Sequence, residues 1–130
     1  MRIGIVVSEF HKEIAEEMLK TAIKEAEKRN YKVEKIFRVV GAFDAPLALK
    51  RMLASQEIDA AIVLGAVVQG ETSHDEVVAF ISAEKIAELS LKYDKPVGYG
   101  VSGPRMTISQ AKARAKEFAQ RAVEAISKYE

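Results

Sequence analysis

Four short apolar runs, rich in β-branched residues, alternate with four longer stretches of helical spacing along this chain. The runs are Ile3–Val7, Tyr31–Val40, Ile58–Val63 and Pro96–Val101, and each reads as a strand. The stretches run from Lys12 to about Arg29, over Leu47–Ala54, from Asp75 to about Tyr93, and from about Ile108 to Ser127. In the first of them Ile14, Met18, Leu19, Ala22, Ile23 and Ala26 share one face and the charges lie on the other. The punctuation agrees. Asn30 suits a helix C-cap, Asp44 with Pro46 marks a helix start, Asp94-Lys95 reads as a turn, and Thr107 can cap the last helix. Strands that alternate with helices bury both faces of a parallel sheet. The pattern therefore predicts an α/β protein. Its expected form is a single-domain three-layer α/β/α sandwich over residues 1–130, with a four-stranded parallel sheet and helices on both faces.

Sheets of this kind bind ligands beyond the carboxyl ends of their strands. Four loops are expected to meet there: Ser8–His11, Gly41–Asp44, Gly65–His74 and Tyr99–Arg105. The third carries the most chemistry. After a buried strand it offers Gly65 and Gly70, the hydroxyls of Thr72 and Ser73, the Glu71 carboxylate and His74, and a helix begins near Asp75. Glycine lets the backbone approach a ligand, and a helix N-terminus presents free N–H groups to an anion. His74 is the one side chain there that can give and take a proton near neutral pH. The same pattern also fits an ordinary strand-to-helix turn capped by Thr72 or Ser73.

The other loops carry similar double readings. Phe10 could stack on a flat heterocycle or serve as a hydrophobic staple for the first helix. His11 reads as a solvated helix start. Asp44 could accept hydrogen bonds from sugar hydroxyls or cap the second helix. Glu71 and Thr72 lie where backbone N–H groups would cradle a phosphate. Arg114 could supply countercharge or be a solvated helical arginine. Gly98 and Gly100 interrupt strand four, which marks close approach by a ligand or by another backbone.

Several function classes drop out. Charged residues make up 30% of the chain but the formal net charge is only +1, so nothing points to nucleic acid or to a membrane surface. Cysteine is absent, and the two histidines share no metal-ligand spacing, so no metal site is expected. No Walker loop, dinucleotide fingerprint or nucleophile elbow occurs. The opening run Met1–Val7 is too short for a signal peptide or a membrane span, which suggests a cytoplasmic location.

Four motifs in order carry a family resemblance. They are Gly41-Ala42-Phe43-Asp44-Ala45-Pro46, Gly65-Ala66-Val67-Val68-Gln69-Gly70-Glu71-Thr72-Ser73-His74, Pro96-Val97-Gly98-Tyr99-Gly100-Val101 and Gln110-Ala111-Lys112-Ala113-Arg114-Ala115. Through essentially its whole length the chain resembles the lumazine synthase family, whose archaeal members it looks most like. The G-x-T-x-H loop is the specific part. The resemblance implies a flavodoxin-like fold and a condensation of 5-amino-6-(ribitylamino)uracil with 3,4-dihydroxy-2-butanone 4-phosphate, without metal or organic cofactor. It implies that His74 transfers protons. Phe10 would stack on the uracil, Ala42, Phe43 and Asp44 would hold the ring and ribityl chain, and Ala66, Val67 and Val68 would line the other side. Glu71 and Thr72 would bind the phosphate. Tyr99 and Arg114 would come from a neighbouring subunit, because the family's sites lie between subunits of a pentamer.

Some positions depart from the family pattern. Gln69 stands for the usual Lys or Arg, Asp44 for Glu, Tyr99 for Phe and Ala113 for an acid, and Lys116–Arg121 reads as uninterrupted helix. That helix, and a chain that starts at strand one, lean towards an isolated pentamer or pentamer pair. Two other readings share the fold: an archaeal-type riboflavin synthase, which the G-x-T-x-H loop argues against, and a lumazine- or flavin-binding carrier, which would need neither His74 nor Arg114.

Overall fold

The computed structural model describes residues 1–130. The element order is β1 Arg2–Ser8, α1 Lys12–Lys28, β2 Lys32–Val39, α2 Ala45–Leu53, β3 Ala60–Ala66, α3 His74–Tyr93, β4 Val97–Ser102 and α4 Ile108–Ser127. The four strands form one sheet in the order β2-β1-β3-β4, and every neighbouring pair is parallel. Alternation along β1 assigns the layers. Ile3, Ile5 and Val7 join the core under α1 and α4, whereas Val6 joins the core under α2 and α3. The predicted three-layer sandwich is the observed one. No helix is long and apolar enough to cross a membrane.

Local signals explain most boundaries. Thr107 Oγ1 accepts from the Gln110 N–H at 3.1 Å while the Gln110 side chain accepts from the Thr107 N–H at 3.0 Å, a reciprocal cap that starts α4 where expected. Asn30 and Asp94, at φ 60° and 52°, take the left-handed turns that end α1 and α3.

Two expectations need correction. β3 begins and ends later than Ile58–Val63, because Leu64, Gly65 and Ala66 pair with Gly100, Val101 and Ser102. Gly65 is thus a strand residue and not part of the loop. A Cβ there would lie 2.8 Å from Ser8 Cβ, so this glycine serves contact between strand ends. Asp44 makes no side-chain cap on α2. It sits in a single 3-10 turn, Ala42–Asp44, and its Oδ2 accepts from the Gly41 N–H at 3.0 Å.

The β4 glycines answer to the packing inside the fold, Gly98 to a backbone and Gly100 first to the Leu64 side chain. A Cβ on Gly98 would fall 2.0 Å from the Ala122 carbonyl oxygen of α4. A main-chain atom in a packed helix cannot rotate aside, so Gly98→Ala must push α4 off the sheet. Overpacking of this kind costs about 1–3 kcal/mol or more. The expected result is a lower urea midpoint with unchanged slope.

Candidate active site

The order β2-β1-β3-β4 reverses direction between β1 and β3, and a crevice opens beyond the strand ends at such a point. A cleft of about 440 Å³ lies there. Phe10 and His11 come from the loop after β1, Val40–Asp44 from the segment after β2, Ala66–Val68 from the end of β3, and Gly70, Thr72, His74, Asp75 and Val78 from the approach to α3 and its first turns. The reading that loops beyond the strand ends build one site therefore holds for three of the four. The fourth, Tyr99–Arg105, does not line the cleft.

Two aromatic rings form the apolar rim. Phe10 is 71% exposed and Phe43 61% exposed. That exposure excludes the staple reading for Phe10, since a staple is buried against its helix. His11 stands at the N-cap of α1, half-buried, as a helix-start residue. It lines the cleft and meets the Phe10 ring edge-on, with centroids 5.1 Å apart and planes at 72°. Exposed rings facing a cleft cost apolar surface in water and gain it back when a flat molecule stacks on them.

The floor beside them suits an anion. The backbone amides of Gly70, Glu71, Thr72 and Ser73 donate to no protein group, and they lead directly into the N-terminus of the 20-residue helix α3. Ser73 occupies the N-cap position without a side-chain bond. Thr72 Oγ1 accepts from the His74 N–H at 3.3 Å, which folds the turn back on itself. Free N–H groups at the positive end of a helix dipole form an anion cradle. His74 stands at its edge and lines the cleft.

Of the sequence-predicted site residues, Phe10, Ala42, Phe43, Asp44, Ala66, Val67, Val68, Thr72 and His74 line the cleft. Glu71, Tyr99 and Arg114 do not. Glu71 is exposed on the loop, with its amide but not its side chain at the cradle. Arg114 is exposed on α4. Tyr99 sits on the edge strand β4, where burial raises the phenol above its ordinary range and the nearby Ser82 hydroxyl partly offsets that. The sequence reading missed Asp75. It lines the cleft and is only 5% exposed, although an acid in the first turn of a helix ordinarily faces water. Its Oδ2 accepts from the Arg105 N–H at 2.9 Å, a partner 30 residues away that local spacing cannot reveal.

A parallel α/β sandwich whose cleft joins aromatic walls to free amides and a histidine has the shape and chemistry of a site for a flat molecule beside an anion. The family model described as 6,7-dimethyl-8-ribityllumazine synthase matches residues 1–129, and the chain belongs to that family. Relatives named 6,7-dimethyl-8-ribityllumazine synthase agree. The protein from Saccharolobus islandicus is 47% identical over 128 residues, which is 98% of this chain and 83% of the relative. The one from Methanothermobacter thermautotrophicus is also 47% identical over 128 residues, covering 98% of this chain and 91% of the relative. That from Metallosphaera sedula is 44% identical over 128 residues, covering 98% and 85%.

Proposed function

We propose that this protein condenses 5-amino-6-(ribitylamino)uracil with 3,4-dihydroxy-2-butanone 4-phosphate to give 6,7-dimethyl-8-ribityllumazine, phosphate and water. The primary amine attacks the ketone and water leaves to form the imine. Phosphate is then eliminated, and the ribityl-bearing nitrogen closes the ring with loss of a second water. No step needs a strong nucleophile or a redox group. Each needs two molecules held together and protons moved between them. The observation that carries this reading is the set of free amides at Gly70–Ser73 beside His74, in a cleft walled by Phe10 and Phe43. Phosphate bound at those amides becomes a better leaving group. The uracil lies against Phe10, between Ala42–Phe43 and Ala66–Val68, and Asp44 faces the ribityl hydroxyls with the carboxylate oxygen that Gly41 leaves free. Family membership disfavours the riboflavin synthase alternative. A mixture of the two substrates should develop lumazine absorbance with the protein and only slowly without it. Equal rates would overturn the reading.

The working unit in this reading is a homopentamer with sites shared between chains, in the cytoplasm and without a cofactor. An apolar row on α3 that stays exposed in one chain supports the assembly. Sharing also accounts for Tyr99 and Arg114, which the cleft of a single chain does not include. Arg114 of one chain then meets the phosphate held by the next. A charge-assisted contact is worth roughly 1.5–3 kcal/mol, so Arg114→Ala should raise the KM for the phosphorylated ketone about tenfold or more. Inorganic phosphate should compete with that substrate in the parent enzyme and compete less in the variant. Equal competition would make Arg114 a solvated helix residue.

A further inference from the structure

We propose that Asp75 is a positioning residue that holds the Gly70–Ser73 loop in its anion-binding shape by tying it to the segment between β4 and α4. This rests on the reading of those amides as the phosphate cradle. Asp75 is one of few buried polar side chains, at 5% exposure. A buried carboxylate without partners is costly, so its partners show what it is for. The Arg105 N–H, at 2.9 Å, is the protein hydrogen bond it receives. Arg105 holds φ 58°, a left-handed conformation unfavourable for a non-glycine residue. The turn is thus bent in a way that aims this amide at α3. The Arg105 side chain adds a second tie, with Nε 2.7 Å from Glu76 Oε1.

Other links bind the same two segments. The Val67 N–H donates to the Ser102 carbonyl and the Gln69 N–H to the Met106 carbonyl, both at 2.8 Å. Gly103, at φ 105°, packs so closely that a Cβ would lie 2.3 Å from the Val67 oxygen. The approach to the loop is therefore pinned at Val67 and Gln69, and its exit is pinned at Asp75. Between the pins, the bond from the His74 N–H to Thr72 Oγ1 and the one from the Glu76 N–H to the Ser73 carbonyl, at 3.1 Å, shape Gly70–Ser73. Release of the Asp75 pin frees the exit of the loop and lets the four amides diverge. The donor is a main-chain N–H, so a neutral amide acceptor should serve as well as a carboxylate.

Asp75→Ala and Asp75→Asn separate this role from a chemical one. Loss of one ordinary main-chain hydrogen bond predicts that Asp75→Ala weakens inhibition by inorganic phosphate about three- to tenfold and raises the KM for the phosphorylated ketone in step, with kcat within about twofold. Hydrogen exchange at the bonded amides of His74 and Glu76, at the loop exit, should quicken in the same variant. Asp75→Asn should bind phosphate no more weakly than the parent and keep its slow exchange. A thermal scan of each variant verifies that it folds. Parent-like values for Asp75→Ala overturn the proposal. So does a kcat loss shared equally by both variants, which would assign the carboxylate a proton-transfer role. A parent enzyme that neither binds phosphate nor turns over refutes the cradle itself, and the exchange comparison still decides whether Asp75 pins the loop.

Discussion

His74→Ala should turn over about a hundredfold more slowly than the parent while it binds phosphate and folds as before. The size follows from what the reaction asks of the protein. The proposed condensation asks for no nucleophile from the protein, because the substrate's own amine attacks the ketone. Proton transfers remain. The imine needs its hydroxyl protonated to leave as water, phosphate elimination needs a carbon-bound proton removed, and ring closure repeats the first demand. His74 begins α3 at the edge of the free amides and is exposed to the cleft, where an imidazole can serve each transfer in turn. General acid–base catalysis spans about 10²–10⁴-fold. The intrinsic reactivity of an amine towards a ketone puts this case at the low end, because juxtaposition of the two substrates survives the mutation. The phosphate amides belong to the main chain, so KM for the phosphorylated ketone should change little. Added imidazole should restore part of the lost rate. Undiminished turnover at saturating substrate would remove His74 from the mechanism.

Features specified by neighbours in sequence were legible. The Thr107–Gln110 cap, the apolar face of α1 and the β-branched run of β1 need only a few adjacent residues to act, and their elements stand where the sequence puts them. Features set by distant contacts were not. Gly65 reads as a loop glycine until Ser8 is seen against it. Asp44 reads as a cap until its carboxylate is seen turned back to Gly41. Asp75 reads as an ordinary helix-start acid because Arg105 lies far along the chain. The cleft residues on the loops after β1, β2 and β3 could be named because the rule for parallel sheets fixes where such loops go. The rule is silent on how far each loop reaches. The segment after β4 leads away from the cleft and back over α3, which is why Tyr99 and Arg114 call for a second chain to complete the proposed site.

Phe80→Glu should break the assembly and take most of the activity with it. On α3, Asp75, Ala79, Ser82 and Ile86 form the buried stripe against the sheet. Val77 and Phe80 are more than half exposed, Ile81 is 39% exposed and Leu91 is 83% exposed. This helix is apolar on both sides, although the sheet can cover only one. Four large side chains left in water on one helix form a patch that monomers rarely tolerate, and in the pentamer reading a neighbouring chain covers it. A cyclic ring uses two different surfaces of each chain, so the patch of one meets another region of the next. A glutamate at position 80 would then be buried without a partner in every interface at once, at a cost of several kcal/mol per contact. The isolated chain should still fold, because the Phe80 side chain does not belong to either core. Native mass spectrometry should find the parent at five chains of 14.4 kDa, about 72 kDa, or a multiple, and the variant at one chain. If sites are shared, dispersal separates the His74 loop from Tyr99 and Arg114, and turnover falls far below the level of either point variant. Subunit mixing tests the sharing directly. Unfolded and refolded together, His74→Ala and Arg114→Ala chains should recover about a quarter of the parent rate at low ketone, since about one junction in four unites two intact halves. No recovery above the two separate variants would mean that each chain owns its whole site, and a fully active monomer would refute the ring as the working unit.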